Sequence, residues 1–202
     1  ECAPLISFSP ADQFNPKSSG KVIPVMEVKI DDPDPNTGIG EICVKGENTM
    51  AGYYKNQEAT AIIFDKEGWL HTGDLGTVDA EGNIFIRGRS KSMILGASGQ
   101  NIYPEEIEAK LNNMPFVMES LVIENNGRLY ALVYPDYEAV DMEKLDQQQL
   151  EKVMEENRLA LNSIVASYES VAKIKLYPNE FEKTPKKSIK RYLYQTAFSN
   201  GQ

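Results

Sequence analysis

The chain has 202 residues, of which 41% are hydrophobic and 25% are charged, a composition typical of a folded globular protein. No apolar run approaches the roughly 20 residues needed to cross a bilayer, and the amino terminus lacks the basic flank and apolar stretch of a signal peptide. The net charge of −9 and the sequence pI of about 4.8 disfavour a general nucleic-acid surface or an anionic-membrane surface.

The first half is predicted to be mostly β-structure. Strands are expected at residues 22–30 and 41–45, with a loop rich in proline and glycine at 31–40 between them. Residues 76–78 and 83–87 are expected to pair as a hairpin, because the turn between them ends in a glycine that tolerates positive φ.

The pattern changes near Arg89, beyond which strands alternate with helices. A short apolar strand at 93–95 is followed by a flexible loop at 96–101. Pro104 then predicts the start of a helix, because proline suits the first helical turn and the two acids after it face the positive end of the helix dipole.

A second hairpin is predicted around Asn126 and Gly127, the strongest short hairpin signal in the chain. Its strands are expected at 121–123 and 128–134. Residues 141–166 carry leucine and valine at helical spacing and predict one long helix.

The last elements are predicted to be a strand and a helix. Residues 171–177 alternate in polarity as a strand does. Thr184 and Pro185 follow the order of a helix N-cap and a first-turn proline, so we expect a terminal helix from Thr184 through Leu193. At least three of the basic residues of that segment would then lie on a solvated helix face, and one of them could face a phosphate.

These elements indicate an α+β protein of two small units. Residues 1–88 form a β-rich, barrel-like subdomain, and residues 89–202 form a small α+β domain with a central sheet and flanking helices. The chain does not begin with Met, and we expect Glu1 to be an interior point of a longer protein.

The cysteines and the single histidine limit the chemistry. Cys2 and Cys43 form no CxxC pair, and a zinc site built on His71 would need carboxylates to complete it. Two free thiols are favoured over a structural disulfide. A Ser-His-Asp triad would have to use His71, and no GxSxG nucleophile motif accompanies it.

Four segments together resemble the superfamily of AMP-forming acyl-CoA ligases, adenylation domains and luciferases. They are GEICVKGENTMAGYYKNQEAT at 40–60, GWLHTGDLG at 68–76, GRSKSMILGASGQNIYPEEIE at 88–108 and EKTPKKSIKR at 182–191. Any one of them would be weak evidence, but they occur in the family's order and at plausible spacings. The amino-acid sequences of these segments are most similar to those of the long-chain fatty acid–CoA ligases.

The resemblance implies the carboxy-terminal part of such a ligase: the last subdomain of its large amino-terminal domain, followed by its mobile carboxy-terminal domain. The full-length enzyme would be cytoplasmic, with a peripheral membrane contact where it collects fatty acids. It would use ATP, Mg²⁺ and coenzyme A to form acyl-AMP and then the thioester. The phosphate-binding loop and the acyl pocket would lie in the missing amino-terminal domain, so we expect this chain to be inactive alone.

Two other functions remain open from the sequence. One is an adenylation domain that loads a carrier protein instead of free coenzyme A. The other is a non-catalytic, regulatory protein that keeps the ligase scaffold. The sequence indicates neither the preferred acyl chain length nor the oligomeric state.

Two residues are assigned to the nucleotide by the resemblance. Asp74, in TGD, would accept hydrogen bonds from both ribose hydroxyls, and a charged acceptor strengthens such bonds. Its alternative is a turn aspartate that caps its own backbone. Arg89 would reach the ribose or phosphate of AMP with its fork of donors, and its alternative is a surface salt bridge.

The resemblance also implies a hinge and a channel. Lys91 would be the hinge about which the small domain moves between its two working orientations, a role of its backbone. The path of the pantetheine arm of coenzyme A would be lined by Gly96, Ala97, Ser98 and Gly99, because larger side chains would obstruct it. Their alternative is a plain connection between a strand and a helix.

The Mg²⁺ ligand implied by the family is Glu1, which would end a Tyr-Gly-x-Thr-Glu segment. Only the glutamate and its downstream context match here. Mg²⁺ is held largely by phosphate and water, so the isolated site is expected to be weak.

The chain departs from the family at its catalytic lysine. In the family a Thr-Pro-x-x-Lys stretch supplies this lysine, which stabilises the charge that develops during adenylation. Ser188 occupies that position here, and Lys187 lies one position earlier. Either Lys187 substitutes for it, across about 100° of rotation on the expected helix, or adenylation is impaired.

Overall fold

The structure is a computed structural model, and it describes residues 5–96 and 99–198. The chain folds into two compact units, the first ending at Ser92 and the second beginning at Met93. The boundary lies beyond the expected one between residues 88 and 89, because the last strand of the first unit continues through Arg89. No helix within these described ranges has the length and apolarity that a bilayer crossing requires.

The first unit is built on an antiparallel sheet. Two short strands, β1 (Ser7–Phe8) and β2 (Lys21–Val22), pair with each other. The main sheet has the order β3 (Met26–Asp31), β4 (Gly40–Gly46), β5 (Leu70–Val78) and β6 (Ile84–Arg89). Helix α1 (Gln57–Ile63) connects β4 to β5.

The core of the first unit lies on one face of this sheet. Ile42 and Val44 of β4 alternate inward, and they pack with Met26, Leu70 and Ile84 in one buried cluster. The hairpin of β5 and β6 confirms the predicted pairing. The predicted strand at 22–30 is wrong as one element, because a turn at Pro24 separates β2 from β3.

The second unit begins with two short strands and a helix. Strands β7 (Ile94–Leu95) and β8 (Asn101–Ile102) form a small hairpin, and α2 (Pro104–Leu111) follows with proline in its first turn, as predicted. The remaining elements are β9 (Val117–Asn125), β10 (Arg128–Pro135), α3 (Tyr137–Met142), α4 (Gln147–Ile164) and β11 (Val171–Leu176).

A mixed sheet of order β11-β10-β9 forms the centre of the second unit. The predicted hairpin of β9 and β10 is confirmed, and Asn126 and Gly127 at its turn both have positive φ, 52° and 75°. Strand β11 runs parallel to β10, which requires a crossover, and α4 supplies it.

The long helix expected at 141–166 is divided into α3 and α4. Lys144 has a φ of 54°, which no α-helix accommodates, and Asp146 then caps α4 by accepting the Gln149 N–H. The Gln149 side chain accepts the Asp146 N–H in return, so the second helix has a complete capping box. Local capping chemistry therefore overrides the continuous helical spacing of the leucines.

Both faces of the second sheet are covered. Val122, Ala131 and Val133 point to one face, where they pack with residues of α2 and α4. Leu121 and Leu132 point to the other, where Phe181, Tyr194 and other aromatic residues of the carboxy-terminal segment cover them. The fold is thus the α+β class expected from the sequence.

The terminal helix expected from Thr184 is wrong, because residues 184–188 form a tight hairpin turn instead. The Lys187 N–H donates to the Thr184 carbonyl at 2.9 Å, and the Thr184 N–H donates to the Ser188 carbonyl at 2.8 Å. Lys183 and Ile189 pair across the turn. Pro185 fits the second position of this turn as well as it fits a helix start, so the sequence signal was ambiguous. Within the described part of the chain, which ends at residue 198, only a single 3₁₀ turn, Arg191–Leu193, follows.

Candidate functional site

Asp74 and Arg89 lie directly opposite each other on β5 and β6. Their side chains form an ion pair between Asp74 Oδ1 and Arg89 Nη1. The Arg89 side chain is 59% exposed and that of Asp74 31% exposed. Both charged groups can therefore be approached from solvent while they are paired.

The backbone around Asp74 is held by a local network. Gly73 has a φ of 74°, a conformation that suits glycine. The Thr72 hydroxyl donates to the Ile42 carbonyl at 2.7 Å and accepts the Asp74 N–H at 3.0 Å. The Thr-Gly-Asp sequence thus fixes the direction in which the Asp74 carboxylate leaves the strand.

Glu41 is a further residue of this network, and sequence reasoning did not identify it. Its Oε1 atom accepts the Gly73 N–H at 2.8 Å, and its Oε2 atom lies 2.8 Å from His71 Nδ1. The carboxylate therefore connects β4 to β5 at the residue that precedes Asp74. The pair Gly40-Glu41 opens the first family-like segment, but its contact with Gly73 depends on strand register and has no local signal.

A cleft of about 510 Å³ adjoins this network in the first unit. Its wall includes Glu41, Phe64, His71, Gly73, Arg89 and Lys91. Small-molecule sites have volumes of about 300–1,000 Å³. The cleft is thus large enough for a nucleoside, and Arg89, the ion-pair partner of Asp74, lines it.

Lys91 and the glycine loop lie near the boundary of the units. Lys91 is exposed in a 3₁₀ turn, Ser90–Ser92, immediately before the boundary. Gly96 and Gly99 belong to the turn between β7 and β8, in which the Gly99 N–H donates to the Gly96 carbonyl at 2.9 Å. Ala97 and Ser98 lie outside the described residues, as does Glu1, so the channel and Mg²⁺ assignments stay predictions.

Lys187 and Ser188 occupy different backbone states. Lys187 has a φ of 63° at the end of the turn, whereas Ser188 begins the returning arm of the hairpin. Both side chains are exposed. The rotation of one helical position, considered from the sequence, does not apply here because no helix carries these residues.

The basic cluster near the carboxy terminus is largely paired with acids. Lys183 lies 3.0 Å from Glu119, and Lys190 lies 3.1 Å from Glu182. The expectation of a solvated helix face is therefore wrong for these residues. Among the described residues, Lys187 has no ion-pair partner.

Arg191 makes the most buried of these contacts. Its guanidinium binds both oxygens of Glu108, at 2.8 Å for the Nη1–Oε1 contact, and Glu108 Oε1 also accepts the Val122 N–H at 2.6 Å. Burial raises the pKa of Glu108 above its ordinary value, against the opposing effect of Arg191. This pair holds the carboxy-terminal segment against α2 and β9.

Curated relatives match about half of this chain. The long-chain-fatty-acid–CoA ligase of Escherichia coli O6:H1 is 45% identical over 124 residues, which are 59% of this chain and 22% of that protein. The long-chain-fatty-acid–CoA ligase ACSBG1 of Bos taurus is 39% identical over 117 residues, 57% of this chain and 16% of that protein. The chain thus spans about a fifth of the length of these relatives.

One relative carries a different substrate in its name. The 3-[(3aS,4S,7aS)-7a-methyl-1,5-dioxo-octahydro-1H-inden-4-yl]propanoyl:CoA ligase of Rhodococcus jostii is 47% identical over 106 residues, 52% of this chain and 19% of that protein. The names of the similar proteins therefore include more than one acyl group. No protein-family model matches the chain.

Solved structures share the fold over most of the chain. An ATP-bound RpMatB-BxBclM chimera is 27% identical, with a TM-score of 0.74, over 94% of this chain and 38% of that one. The O-succinylbenzoate coenzyme A synthetase MenE of Bacillus subtilis, in complex with AMP, is 28% identical, with a TM-score of 0.66, over 87% of this chain and 34% of that one. The resemblance to adenylate-forming ligases predicted from the four segments is confirmed.

Proposed function

We propose that this chain, similar in sequence and fold to the AMP-forming acyl-CoA ligases, is the carboxy-terminal part of a long-chain fatty acid–CoA ligase. The first unit would be the end of the nucleotide-binding domain, and the second would be the mobile domain, which turns about Lys91. The observation that carries the proposal is the exposed pair of Asp74 and Arg89 beside a nucleoside-sized cleft.

Asp74 and Arg89 suit a nucleotide because their pairing leaves hydrogen-bonding capacity on both sides. Asp74 uses Oδ1 for Arg89, so Oδ2 remains to accept a ribose hydroxyl. A guanidinium has five N–H donors, and those that Arg89 does not give to Asp74 can meet ribose or phosphate oxygens. Glu41 and Thr72 keep the Asp74 backbone in place while this exchange occurs.

The reaction of the complete protein would have two steps. A fatty-acid carboxylate oxygen attacks the α-phosphorus of ATP, and the bond to the departing pyrophosphate breaks, which leaves acyl-AMP. The sulfur of coenzyme A then attacks the acyl carbon, and AMP leaves with the electrons of the acyl–oxygen bond. Lys187 would offer its unpaired ammonium to the charge that grows on the α-phosphate in the first step.

The test of the nucleotide assignment is Asp74→Asn in the complete protein that contains this chain. Loss of a charged acceptor costs about 1.5–3 kcal/mol, so the affinity for AMP should fall about 10- to 150-fold. Isothermal titration with AMP measures this change.

Asp34→Asn is the matched control, because Asp34 is a turn aspartate that accepts the backbone N–H groups of Asn36 and Thr37. It should bind AMP as the unmodified protein does. Equal AMP affinity in the two variants would mean that Asp74 is only a turn aspartate.

A pyrophosphate-release screen of the complete protein against acids of graded length tests the long-chain substrate. Highest activity with long-chain acids supports the proposal, and activity only with short or aromatic acids contradicts it. Coupled assays with coenzyme A and with a carrier protein then decide the acceptor. The isolated 202-residue chain should show no measurable turnover.

Ser188 favours a second candidate, a ligase-like regulatory protein that forms no acyl-AMP. Lys187→Met should abolish acyl-AMP formation if Lys187 serves as the catalytic lysine, and Ser188→Lys should then add little. If acyl-AMP forms only after Ser188→Lys, the catalytic role of Lys187 is wrong and the regulatory function is favoured.

A further inference from the structure

One face of the first sheet collects an unusual set of side chains. Cys43 of β4 lies opposite Lys29 of β3 and opposite His71 of β5, and Asp31 lies opposite Glu41. Residues opposite each other, or two apart on a strand, point to the same face. These five side chains therefore share the face that is turned away from the core residues Ile42 and Val44.

The donor atoms of this face converge. One ligand atom from each of Asp31, Cys43 and His71 lies within 4.8 Å of the others. Cys43 Sγ is 3.4 Å from His71 Nδ1, and a tetrahedral zinc ion with ordinary bond lengths would set these atoms about 3.6 Å apart. Glu41 Oε2 lies 2.8 Å from the same nitrogen but does not belong to this converging group, so solvent would complete the coordination of an ion held there.

The charges on this face favour a cation. Cys43 is fully buried, and burial, followed by the charges of Glu41 and Asp31, raises the pKa of its thiol to about 12. Two ammonium groups lie on this face, and both have partners. Lys45 donates to the Glu67 carbonyl at 2.9 Å, and Lys29 is 3.2 Å from Asp65 and 3.7 Å from Asp31. Since Asp65 holds Lys29 at the shorter distance, Asp31 can turn to a metal without leaving the lysine unpaired.

We propose that Asp31, Cys43 and His71 form a binding site for a thiophilic divalent cation of the zinc class. Sulfur and imidazole donors select such ions over Mg²⁺ and Ca²⁺, which prefer oxygen alone. The bound ion would connect β3, β4 and β5. The binding site itself does not depend on the ligase function.

The test is a titration of the complete, chelator-treated protein with Co²⁺, a spectroscopic substitute for zinc. We expect an absorption band from thiolate-to-cobalt charge transfer, saturating at one equivalent and removed by Zn²⁺. Because Cys43 is buried, the titration is repeated on protein refolded from urea with Co²⁺ present. Circular dichroism of each variant establishes that it folds.

Cys43→Ser should lose the band, and His71→Gln should lose the tetrahedral visible spectrum. Cys2→Ser, which changes the other thiol of the chain, is the matched control and should keep both signals. Absence of the band from the refolded, unmodified protein overturns the proposal. So does a band that survives Cys43→Ser, because it would come from adventitious cobalt elsewhere.

Discussion

Two arginine–carboxylate pairs, one in each unit, use the same chemistry in opposite environments. Arg89 and Asp74 meet at the surface of the first unit, with side chains 59% and 31% exposed. Arg191 and Glu108 meet inside the second, with side chains 24% and 9% exposed. The first pair can exchange partners with a ligand, whereas the second pair fastens a segment of chain to its sheet.

Solvent exposure therefore determines whether an ion pair serves binding or stability. An exposed pair adds little to stability, about 0–1 kcal/mol, so its groups can be kept for binding. A buried pair costs several kcal/mol when one partner is removed, because the other is left as an uncompensated charge. The following experiments measure this contrast.

The largest effect is expected for Arg191→Met, which should lower the free energy of unfolding of the second unit by about 3–5 kcal/mol. Arg89→Met, the same change in the exposed pair, should cost the first unit about 0–1 kcal/mol. Urea unfolding measures both. The chain has one tryptophan, Trp69, whose fluorescence reports the first unit, while far-ultraviolet circular dichroism reports the helices of the second.

Similar losses in the two variants would contradict the contrast. The double variant Glu108→Gln with Arg191→Met removes both charges and should recover part of the stability. A double variant no more stable than Arg191→Met alone would mean that the charge of Glu108 does not produce the loss, which would then come from packing or from the second ion pair of Arg191, with Glu105 at 3.4 Å.

The second effect is a pH dependence of about 1.4 kcal/mol per pH unit at most. Because the folded pKa of Glu108 lies above its unfolded value, its stabilising protonation is present below the unfolded pKa and lost as pH rises through the folded pKa. Arg191→Met removes an opposing charge and should extend this loss to higher pH. Urea unfolding between pH 5 and pH 8 should show the variant falling further behind the unmodified protein; a constant difference would contradict it.

The smallest effect concerns the hairpin turn. Lys187→Gly should stabilise the second unit by about 1 kcal/mol, because glycine adopts the positive φ of 63° without strain. Lys186→Gly, at a neighbouring turn position without positive φ, should have the opposite sign. Far-ultraviolet circular dichroism during urea unfolding compares them, and a loss in both variants would contradict the strain at Lys187.

The features that the sequence predicted correctly depend on residues close together in the chain. The hairpin at Asn126 and the helix at Pro104 followed from residues with strong conformational preferences at those positions. The Thr184 segment failed because Thr-Pro suits both a helix start and a turn, and the left-handed backbone of Lys187 decides between them.

The residues around the site depend on distant pairing. Asp74 and Arg89 were identified through family-like segments, and the structure brings them together across two strands. The contacts of His71 with Glu41 and with Cys43 depend on strand register, because these residues are separated by 30 and 28 positions in the sequence. The hydrophobic pattern of a strand determines which face each side chain takes, but the residues that stand opposite each other also depend on the connection between the strands.

The hairpin at residues 184–188 is closed at its base by the pairing of Lys183 with Ile189, and aromatic residues anchor the segment on the sheet behind it. Residues 184–188 can therefore be replaced while the pairing of Lys183 with Ile189 and the aromatic contacts stay intact. Five-residue turns of other sequences, inserted between Lys183 and Ile189, would allow different turn sequences to be compared on the same sheet.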